Sequence, residues 1–352
     1  TNQNATEHNE PWPSGRPNHY LFDLNRDWVW ASQVETKQRL KLYNQWMPHI
    51  HVDFHEQGIN EPYYFAPAAE PFHEVISDWQ RKFQLQIGKN HAKYFDREGW
   101  LFFTRERFDL LYPSYGDTYP TFMGAIGMTY EQAGHGRAGL GIDNDEGIKL
   151  TLVDRIKHHT TTSLSTVEIS SQNAKKLNEE FSQYFKNDQL KYKSYVLNGN
   201  IDHKKKLTNL LNLHDIKWGY SVNNSIAGFR YKIQKKGSID AKNAIIVNTE
   251  QPKGQMVKTL FEPDTKLSNP LTYDITSWSL PYAYGLETVA STQLLESNES
   301  KKIITIHNEP SLKSVGYISH WTSMYDVSFL ADLLLHDVKV RFSEKELSFN
   351  NI

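Results

Sequence analysis

The chain has 352 residues, which is longer than one hydrophobic core usually serves, so we expect two domains. Its 39 Lys and Arg residues balance 41 Asp and Glu residues, which argues against a protein held to nucleic acid or anionic lipid by a net positive field. Aromatic residues make up 13% of the chain, and this share suits a folded protein with aromatic-walled clefts and not a disordered one.

The chain contains no cysteine. This excludes disulfides, thiolate nucleophiles and Cys-ligated metal centres, so any metal must be held by His and carboxylate side chains. The absence of thiols from a chain of this length favours an oxidising compartment, although chance and a bacterial cytosolic origin also give it, and we expect an extracytoplasmic location, periplasmic or secreted. No apolar run approaches the ~18 to 20 residues of a membrane-spanning helix, so we expect no membrane span.

The first predicted elements come before residue 60. The run LFDLNRDW (21–28) is predicted to end a short strand, and residues 30–48 carry apolar residues at helical spacing until Pro48 ends the helix. The run HIHVDFHEQG (49–58) is predicted to be a strand, because polar and apolar residues alternate along it. One face of that strand would carry His51, Asp53 and His55, and the other would carry Ile50, Val52 and Phe54.

Further elements alternate in the same way up to about residue 186. A helix is predicted from about Pro71 to Phe95, followed by a long Gly/Pro/Tyr loop at 110–127. The apolar run GMTYEQAG (127–134) is predicted to be a buried strand ending at Glu131. Residues 145–186 have few helix breakers and are predicted to be helical. This alternation predicts an α/β fold for residues 1–186.

Residues 187–352 are richer in Lys and Asn and are predicted to form a second, smaller α/β domain. An internal repeat lies within it, because LLNLHDIKWGYS (210–221) resembles LLLHDVKVRFSE (333–344). Each copy follows a helix and a strand-like run, at 193–199 and 315–320, so we expect a duplicated strand–helix–strand unit. The unit resembles open α/β domains related to glutamine amidotransferases. Since it has no Cys nucleophile and no Gly-rich elbow, we expect this domain to be non-catalytic. We also expect it to be truncated, because the second copy stops soon after its last strand-like run.

Two positions in the first domain suggest binding chemistry. His55 ends a predicted strand, at a position where α/β sheets bind ligands, and imidazole is a common metal ligand. The alternative is that His51 and His55 are ordinary histidines on the polar face of a half-buried strand. Asn25 and Arg26 together offer an amide and a bidentate guanidinium that can bind a carboxylate such as a free peptide C-terminus. The alternative for Arg26 is an ion pair with a neighbouring Asp, at position 23 or 27.

A third position suggests catalysis. Glu131 ends the apolar strand, where its carboxylate can act as a general base on a metal-bound water. The alternative is an ordinary strand-end glutamate. A pair formed by Glu56 and Glu131 would be the acid and nucleophile of a glycosidase, although nothing in their spacing demands it. His158 and His159 are adjacent in a helical stretch and are predicted to lie on a solvated helix face.

Together, the segments DLNRDW, HIHVDFHEQG and TYEQAG resemble the carboxypeptidase A-like zinc metallocarboxypeptidases, over roughly a third of the chain. The resemblance implies that Asn25 and Arg26 bind the C-terminal carboxylate of a peptide substrate, that His55 is a zinc ligand and that Glu131 is the base. It also implies a mobile tyrosine that caps the substrate. The candidates in the 110–127 loop are Tyr112 and Tyr115, ahead of Tyr119, and Asp117 is either part of the side-chain pocket or a turn cap.

The chain also departs from that family pattern. A His-x-x-Glu pair of zinc ligands and an Asn-Pro-Asp-Gly run with an electrophilic arginine are not found, and the resemblance would place them before residue 1. Arg16 is the only arginine that precedes Asn25, but it lies in a Gly/Pro turn and is closer to Asn25 in the sequence than the family's electrophilic arginine would be. Since a catalytic zinc normally has three protein ligands, we expect this chain to bind zinc weakly and to be an inactive fragment of an active enzyme.

The sequence therefore predicts a carboxypeptidase-like mixed sheet flanked by helices, without its first strands, followed by the smaller α/β domain. The predicted function is zinc-dependent hydrolysis of C-terminal peptide bonds. The alternative is a non-catalytic module that binds peptides or carboxylates through a degenerate site, and a glycosidase is a more distant third.

Overall fold

The computed structural model describes residues 8, 10, 16–187, 189–270, 272, 279–300, 302–303 and 313–345. These residues form a mixed α/β protein with two main sheets, one on each side of residue 186. The elements of the first part are α1 (Val34–Trp46), β1 (Ile50–Gln57), β2 (Tyr63–Tyr64), β3 (Ala69–Phe72), α2 (Asp78–Glu98), β4 (Phe102–Phe103), β5 (Asp109–Leu110), α3 (Thr118–Phe122), β6 (Ile126–Ala133), β7 (Gly141–Asp143), β8 (Lys149–Thr151), α4 (Leu152–Gln172) and α5 (Ala174–Tyr184).

The first main sheet has the strand order β1-β6-β2-β4. Strands β1 and β6 are parallel, β2 is antiparallel to β6, and β4 is parallel to β2, so the sheet is mixed as predicted. Two-stranded sheets β3-β5 and β7-β8 lie outside it. The interpretation of this arrangement as carboxypeptidase-like stays a prediction.

The alternation of side chains along β1 gives the sheet two different faces, as predicted. Ile50 and Val52 pack with the cluster that includes Phe83 and Ile87 of α2. His51 lies on the opposite face, where its ring meets the Trp28 indole edge-on at a centroid distance of 5.8 Å. His51, His55 and, on the neighbouring strand, Glu131 therefore lie on the face that is not covered by α2.

Helix α2 begins later than the sequence pattern predicted. Its N-cap is Ser77, whose side chain accepts a hydrogen bond from the Gln80 N–H in a capping box, and its C-cap Gly99 has φ of 69°. The preceding residues form strand β3 instead of the first helical turns.

Three other predicted elements differ from the structure. The run 21–28 forms turns with one isolated bridge, between Pro17 and Asp23, and does not end a strand. The predicted 110–127 loop contains the short helix α3, and strand β6 continues past Glu131 to Ala133. In the segments 21–28 and 110–127, backbone hydrogen bonds to neighbouring residues determine the local structure. Side-chain periodicity does not predict such bonds.

The prediction of a solvated face for the two adjacent histidines of α4 is wrong. The His158 Nδ1 lies 2.7 Å from the Gln132 Oε1, and the His159 Nδ1 lies 2.7 Å from the Tyr63 hydroxyl. Both imidazoles point towards the sheet, because positions 100° apart on a helix can straddle the centre of its packed face. Burial lowers the pKa of His158 to about 4.

The second part is built on a seven-stranded sheet with the order β12-β11-β14-β9-β13-β10-β15. Every pairing within it is antiparallel. Its elements are β9 (Ser194–Asn198), α6 (Ile201–Leu213), β10 (Trp218–Ser221), β11 (Ser225–Arg230), β12 (Lys235–Asp240), β13 (Ile245–Asn248), α7 (Gly254–Phe261), α8 (Leu280–Ala283), β14 (Glu287–Ser291), β15 (Ser297–Ser300) and α9 (Met324–Leu335).

The first copy of the predicted repeat is a strand–helix–strand unit, β9–α6–β10. Strand β13 pairs with both β9 and β10 in the antiparallel sense, so β9 and β10 run parallel to each other with β13 between them. This split arrangement differs from the open α/β sheet that the amidotransferase-like resemblance implies, which is built mainly on parallel neighbours.

The second copy keeps the helix and loses the strands. Helices α6 and α9 end in the same way, at His214-Asp215 and His336-Asp337, where each aspartate has φ of 55°. The next residues also match, because the Ile216 N–H donates to the Leu211 carbonyl oxygen at 2.9 Å and the Val338 N–H donates to that of Leu333 at 2.9 Å. No strand is assigned among residues 313–345, and α9 has no buried side chain. The duplication is therefore confirmed for the helix and its C-terminal cap only.

The two parts share one hydrophobic cluster, which contains Trp28 and Tyr119 of the first part and Leu207 and Ile245 of the second. Buried polar contacts also cross between them. The His73 Nε2 lies 2.8 Å from the Glu262 Oε1 with both side chains almost fully buried, and the Tyr119 hydroxyl lies 2.9 Å from the His214 Nδ1. The second part thus supports the short helix that follows Asp117.

Candidate active site

A cavity of about 440 Å³ opens at the carboxyl ends of β1 and β6. Such strand ends are where open α/β sheets bind ligands. Five of the six site residues predicted from the sequence line this cavity: Asn25, Arg26, His55, Tyr115 and Glu131. The structure therefore brings together side chains that are far apart in the chain.

His55 and Glu131 are the centre of this arrangement. They are register partners on adjacent parallel strands, so their backbones are separated by one strand spacing of about 4.8 Å. Because register partners on neighbouring strands project to the same face, both side chains reach the cavity. Each lies near the carboxyl end of its strand, as predicted.

Glu131 is buried in an all-buried strand, with 8% of its surface exposed. Its Oε2 has no hydrogen-bond partner within the described part of the chain. Burial raises the pKa of Glu131 to about 7, with help from the negative charges of Asp53 and Asp117, while His55 and Arg16 act in the opposite direction. A carboxyl group with a pKa near neutrality is suited to taking up and releasing a proton.

Asp53 lies two residues before His55 on the same face of β1. Its Oδ2 is 2.7 Å from the His55 Nε2, and the Asn25 Nδ2 donates to the same oxygen at 3.0 Å. Burial lowers the pKa of His55, but the hydrogen bond and charge of Asp53 outweigh burial, so the net pKa is raised. For Asp53 itself, hydrogen bonds from His55 and Asn25 and the charge of His55 outweigh burial, and the pKa is lowered.

Arg26 lies in the turn before α1, and its guanidinium stacks over the Tyr115 ring, 4.5 Å from the centroid. The sequence left open an ion pair between Arg26 and Asp23. In the structure the Arg26 Nη1 is 3.9 Å from the Asp23 Oδ2, which is a long contact for an ion pair. Asp23 instead accepts from the Arg16 Nε at 2.8 Å. Arg26 and Arg16 both line the cavity, so they place two guanidinium groups beside the His55 and Glu131 pair.

Asp117 also lines the cavity and is fully buried against β6. It occupies the N-cap position of α3, but its side chain makes no capping bond there. A hydrogen bond with Thr129 lowers its pKa, but burial and the charge of Asp53 dominate and raise it to about 7. Of the two roles predicted for it, the structure favours the cavity wall over the turn cap.

The structure separates the candidate tyrosines. Tyr115 lines the cavity, whereas Tyr112 is buried in the hydrophobic cluster, with its ring stacked on Trp30 at a centroid distance of 5.9 Å. Tyr119 is fully buried beneath Trp28. The assignment of Tyr112 as a substrate-binding residue is therefore not supported by its position, because a core side chain cannot contact a ligand in the cavity.

Glu56 is bound by Arg155, whose Nη1 donates to its Oε1 at 2.9 Å. It is the neighbour of His55 in β1, so its side chain leaves the strand on the opposite face from those of His55 and Glu131. Glu56 and Glu131 nevertheless both line the cavity, so the glycosidase alternative stays a prediction, in which the Glu56 carboxylate is already bound by Arg155.

Sequence reasoning gave no role to three residues that belong to this site. Asp53 was detectable from its period-two spacing to His55, which puts both on one strand face. Arg16 and His135 line the cavity from loops. Side-chain periodicity predicts the faces of helices and strands, and it does not predict which loop residues reach a site. The loop residues become neighbours only because the sheet brings their loops to one edge.

The chemistry of the site fits one position of a zinc centre. A ligating histidine usually donates its second ring N–H to a carboxylate, which is the relation of the His55 Nε2 to Asp53, and Nδ1 is then the nitrogen for a metal. Among the residues that the structure describes, no group of three His, Asp or Glu side chains is placed to hold a metal ion. The described residues therefore do not form a complete zinc site.

In the described segments, no helix is both long and apolar enough to cross a membrane. Comparisons with protein-family models, with curated proteins and with solved structures found no match for this chain.

Proposed function

We propose that this cavity binds the free C-terminal carboxylate of a peptide and is part of the site of a zinc-dependent carboxypeptidase. The observation that carries the proposal is the pairing of His55 with Glu131 at the ends of two parallel strands, with Arg26 in the same cavity. The cavity therefore contains an imidazole, a carboxyl group of raised pKa and a guanidinium, and this combination of side-chain types supports the proposal.

In this proposal Arg26 binds the terminal carboxylate through its guanidinium fork, and the Tyr115 ring holds that guanidinium in position. Glu131 takes a proton from the attacking water as the water oxygen bonds to the scissile carbonyl carbon. The same proton then passes from Glu131 to the leaving nitrogen as the C–N bond breaks. Arg16 also lines the cavity, and its positive charge would stabilise the negative charge that develops on the carbonyl oxygen.

Zinc, when bound, would polarise the scissile carbonyl and lower the pKa of the attacking water. His55 would hold it through Nδ1, and the remaining ligands would have to come from outside the described residues. The extracytoplasmic location expected from the absence of cysteine also stays a prediction.

A second candidate is a non-catalytic module that binds peptide carboxylates. One observation favours it, namely that the described residues surround the cavity with binding groups but lack a three-ligand metal set. This candidate keeps the role of Arg26 and makes no use of Glu131 as a base.

The test compares binding of two peptides that differ only at the C-terminus, one a free acid and the other an amide, measured by isothermal titration calorimetry. We expect the acid to bind at least about tenfold more tightly, and Arg26→Ala to remove about 10- to 100-fold of acid affinity, since hydrogen bonds to charged groups contribute about 1.5 to 3 kcal/mol. Arg97→Ala is the matched control, because Arg97 is an exposed arginine paired with Glu98 at the end of α2.

A second arm measures release of the C-terminal amino acid by the full-length gene product with added zinc. Release that falls about 10² to 10⁴-fold in Glu131→Gln supports the enzyme. Acid-selective binding without any release supports the binding module instead. Equal binding of acid and amide would eliminate both candidates.

A further inference from the structure

The amide of Asn25 has a fixed orientation. Its Oδ1 accepts hydrogen bonds from the Gly116 N–H at 2.7 Å and from the Trp28 Nε1 at 3.2 Å. Two donors at one end of an amide identify that end as the oxygen, so the NH₂ group faces Asp53 and His55. Asn25 is thus held from behind by a loop and an indole, and its donors point along β1.

Three atoms then meet in a tight triangle. The His55 Nε2 is 2.7 Å from the Asp53 Oδ2 and 2.9 Å from the Asn25 Nδ2, and Nδ2 is 3.0 Å from Oδ2. The Nε2 atom cannot serve both neighbours, because it either donates to the carboxylate or accepts from the amide. The contact to Asp53 is the shorter, and a bond from a ring N–H to a carboxylate is charge-assisted and stronger than one from a neutral amide.

The surroundings leave no space for another arrangement of this triangle. A Cβ atom added to Gly116 would lie 2.1 Å from the Asp53 Oδ2 and 2.9 Å from the Asn25 Oδ1, so the loop backbone abuts both side chains. His55 and Asp53 are each partly buried on the strand. The packing thus holds Asp53 and Asn25 in place behind the imidazole.

We propose that Asn25 and Asp53 are positioning residues that hold the His55 imidazole as its Nε2–H tautomer, with the Nδ1 lone pair as its acceptor. Asn25 then acts on the site through Asp53 and His55, and not by binding the substrate carboxylate as the sequence resemblance implied. This assignment of Asn25 rests on the proposed function, whereas the tautomer does not.

The first test reads the tautomer directly, from the ¹⁵N shifts of the His55 ring in uniformly labelled protein, with His55→Gln to assign the signal. We expect Nε2–H in the wild type. In the isosteric Asp53→Asn variant the ratio of the two tautomers should fall by about tenfold or more, because the charge-assisted acceptor is lost. Asp23→Asn is the matched control, since Asp23 lines the same cavity but bonds Arg16.

The second test repeats the acid and amide peptide titration with Asn25→Ala, after circular dichroism has confirmed its fold. We expect an unchanged ratio of acid to amide affinity, in contrast to Arg26→Ala. A wild-type Nδ1–H tautomer, or a ratio that falls in Asn25→Ala as it does in Arg26→Ala, would overturn the inference. If wild-type protein does not prefer the acid, the proposed function fails, and the tautomer in the wild type and in Asp53→Asn decides the positioning role by itself.

Discussion

His55 and Glu131 sit side by side as register partners on two parallel strands, although they belong to distant parts of the chain. The pairing depends on every residue of the two strands, because a slip by one residue would turn one side chain to the opposite face of the sheet. The apolar residues on the other face, which pack against α2, hold this register. The core of the first part is therefore what positions the two polar side chains.

The first prediction concerns the stability cost of Glu131. Because the folded-state pKa lies at about 7 and its ordinary value is 4.5, folding favours the protonated form. The resulting stability is fully present below pH 4.5 and is lost as the pH rises to about 7 and above. We expect the free energy of unfolding of Glu131→Gln to exceed that of the wild type by up to a few kcal/mol at pH 8. At pH 4 the two values should be similar.

Urea denaturation across pH 4 to 8 measures this difference. The charged and titratable groups that face Glu131 are His55, Asp53, Asp117 and Arg16, and all of them remain in the variant. The exposed Glu250 provides the control Glu250→Gln. A stability difference between Glu131→Gln and wild type that is independent of pH would show that the buried carboxyl group ionises as it does in water.

The second prediction tests the close contact at Gly116. An added methyl group would overlap the Asp53 carboxylate, so Gly116→Ala should destabilise the fold by about 1 to 3 kcal/mol. Gly141→Ala is the control, because the nearest atom to its added Cβ is 3.7 Å away. We expect that control to be neutral or slightly stabilising, by up to about 1 kcal/mol. Thermal and urea denaturation measure both variants. If Gly116→Ala and Gly141→Ala change the free energy of unfolding equally, Gly116 is not tightly packed.

The third prediction concerns a hydrogen bond that links the two parts. The His214 Nε2 is 2.8 Å from the Val29 carbonyl oxygen, so in the neutral ring Nδ1 accepts from the Tyr119 hydroxyl. Burial lowers the pKa of His214 to about 4, which keeps the ring neutral at pH 7. Tyr119→Phe leaves that nitrogen buried without a donor and should cost about 1 to 3 kcal/mol.

Tyr43 offers a matched control for Tyr119. Its ring packs edge-on against that of Tyr119, but its hydroxyl is buried without a hydrogen-bond partner among the described residues. Tyr43→Phe should therefore be neutral or stabilising, because it removes an unsatisfied polar group. If urea denaturation shows the same loss for both variants, the loss in Tyr119→Phe does not come from its hydrogen bond with His214.

The fourth prediction uses the two copies of the repeat. Leu207 of α6 is fully buried, and its counterpart in α9, Phe329, is 51% exposed. Leu207→Ala should cost about 2 to 5 kcal/mol, whereas Phe329→Ala should change the unfolding free energy by less than about 0.5 kcal/mol. A large loss for Phe329→Ala would mean that α9 packs against other residues in solution.

Several features of this protein were determined by local sequence pattern. The period-two alternation around His55 predicted strand β1 and its two faces, and the apolar run before Glu131 predicted strand β6. Helix α1 followed from its spacing and from the proline after it. These predictions succeeded because each depends on neighbours in the chain, whose side chains share one strand face or one helix stripe.

Tertiary structure decided what the same patterns could not. The two copies of the repeat have similar sequences, yet only one acquires strands, because a strand needs a partner with exposed N–H and C=O groups and β13 provides one for the first copy alone. The sequence offered Tyr112 and Tyr115 as equals, and packing against Trp30 put the first in the core. The role of Asn25 likewise depends on Gly116 and Asp53, which only the fold brings within hydrogen-bonding distance of its amide. Local periodicity predicts on which face of a strand or helix a side chain lies. Long-range packing determines which residues contact that face.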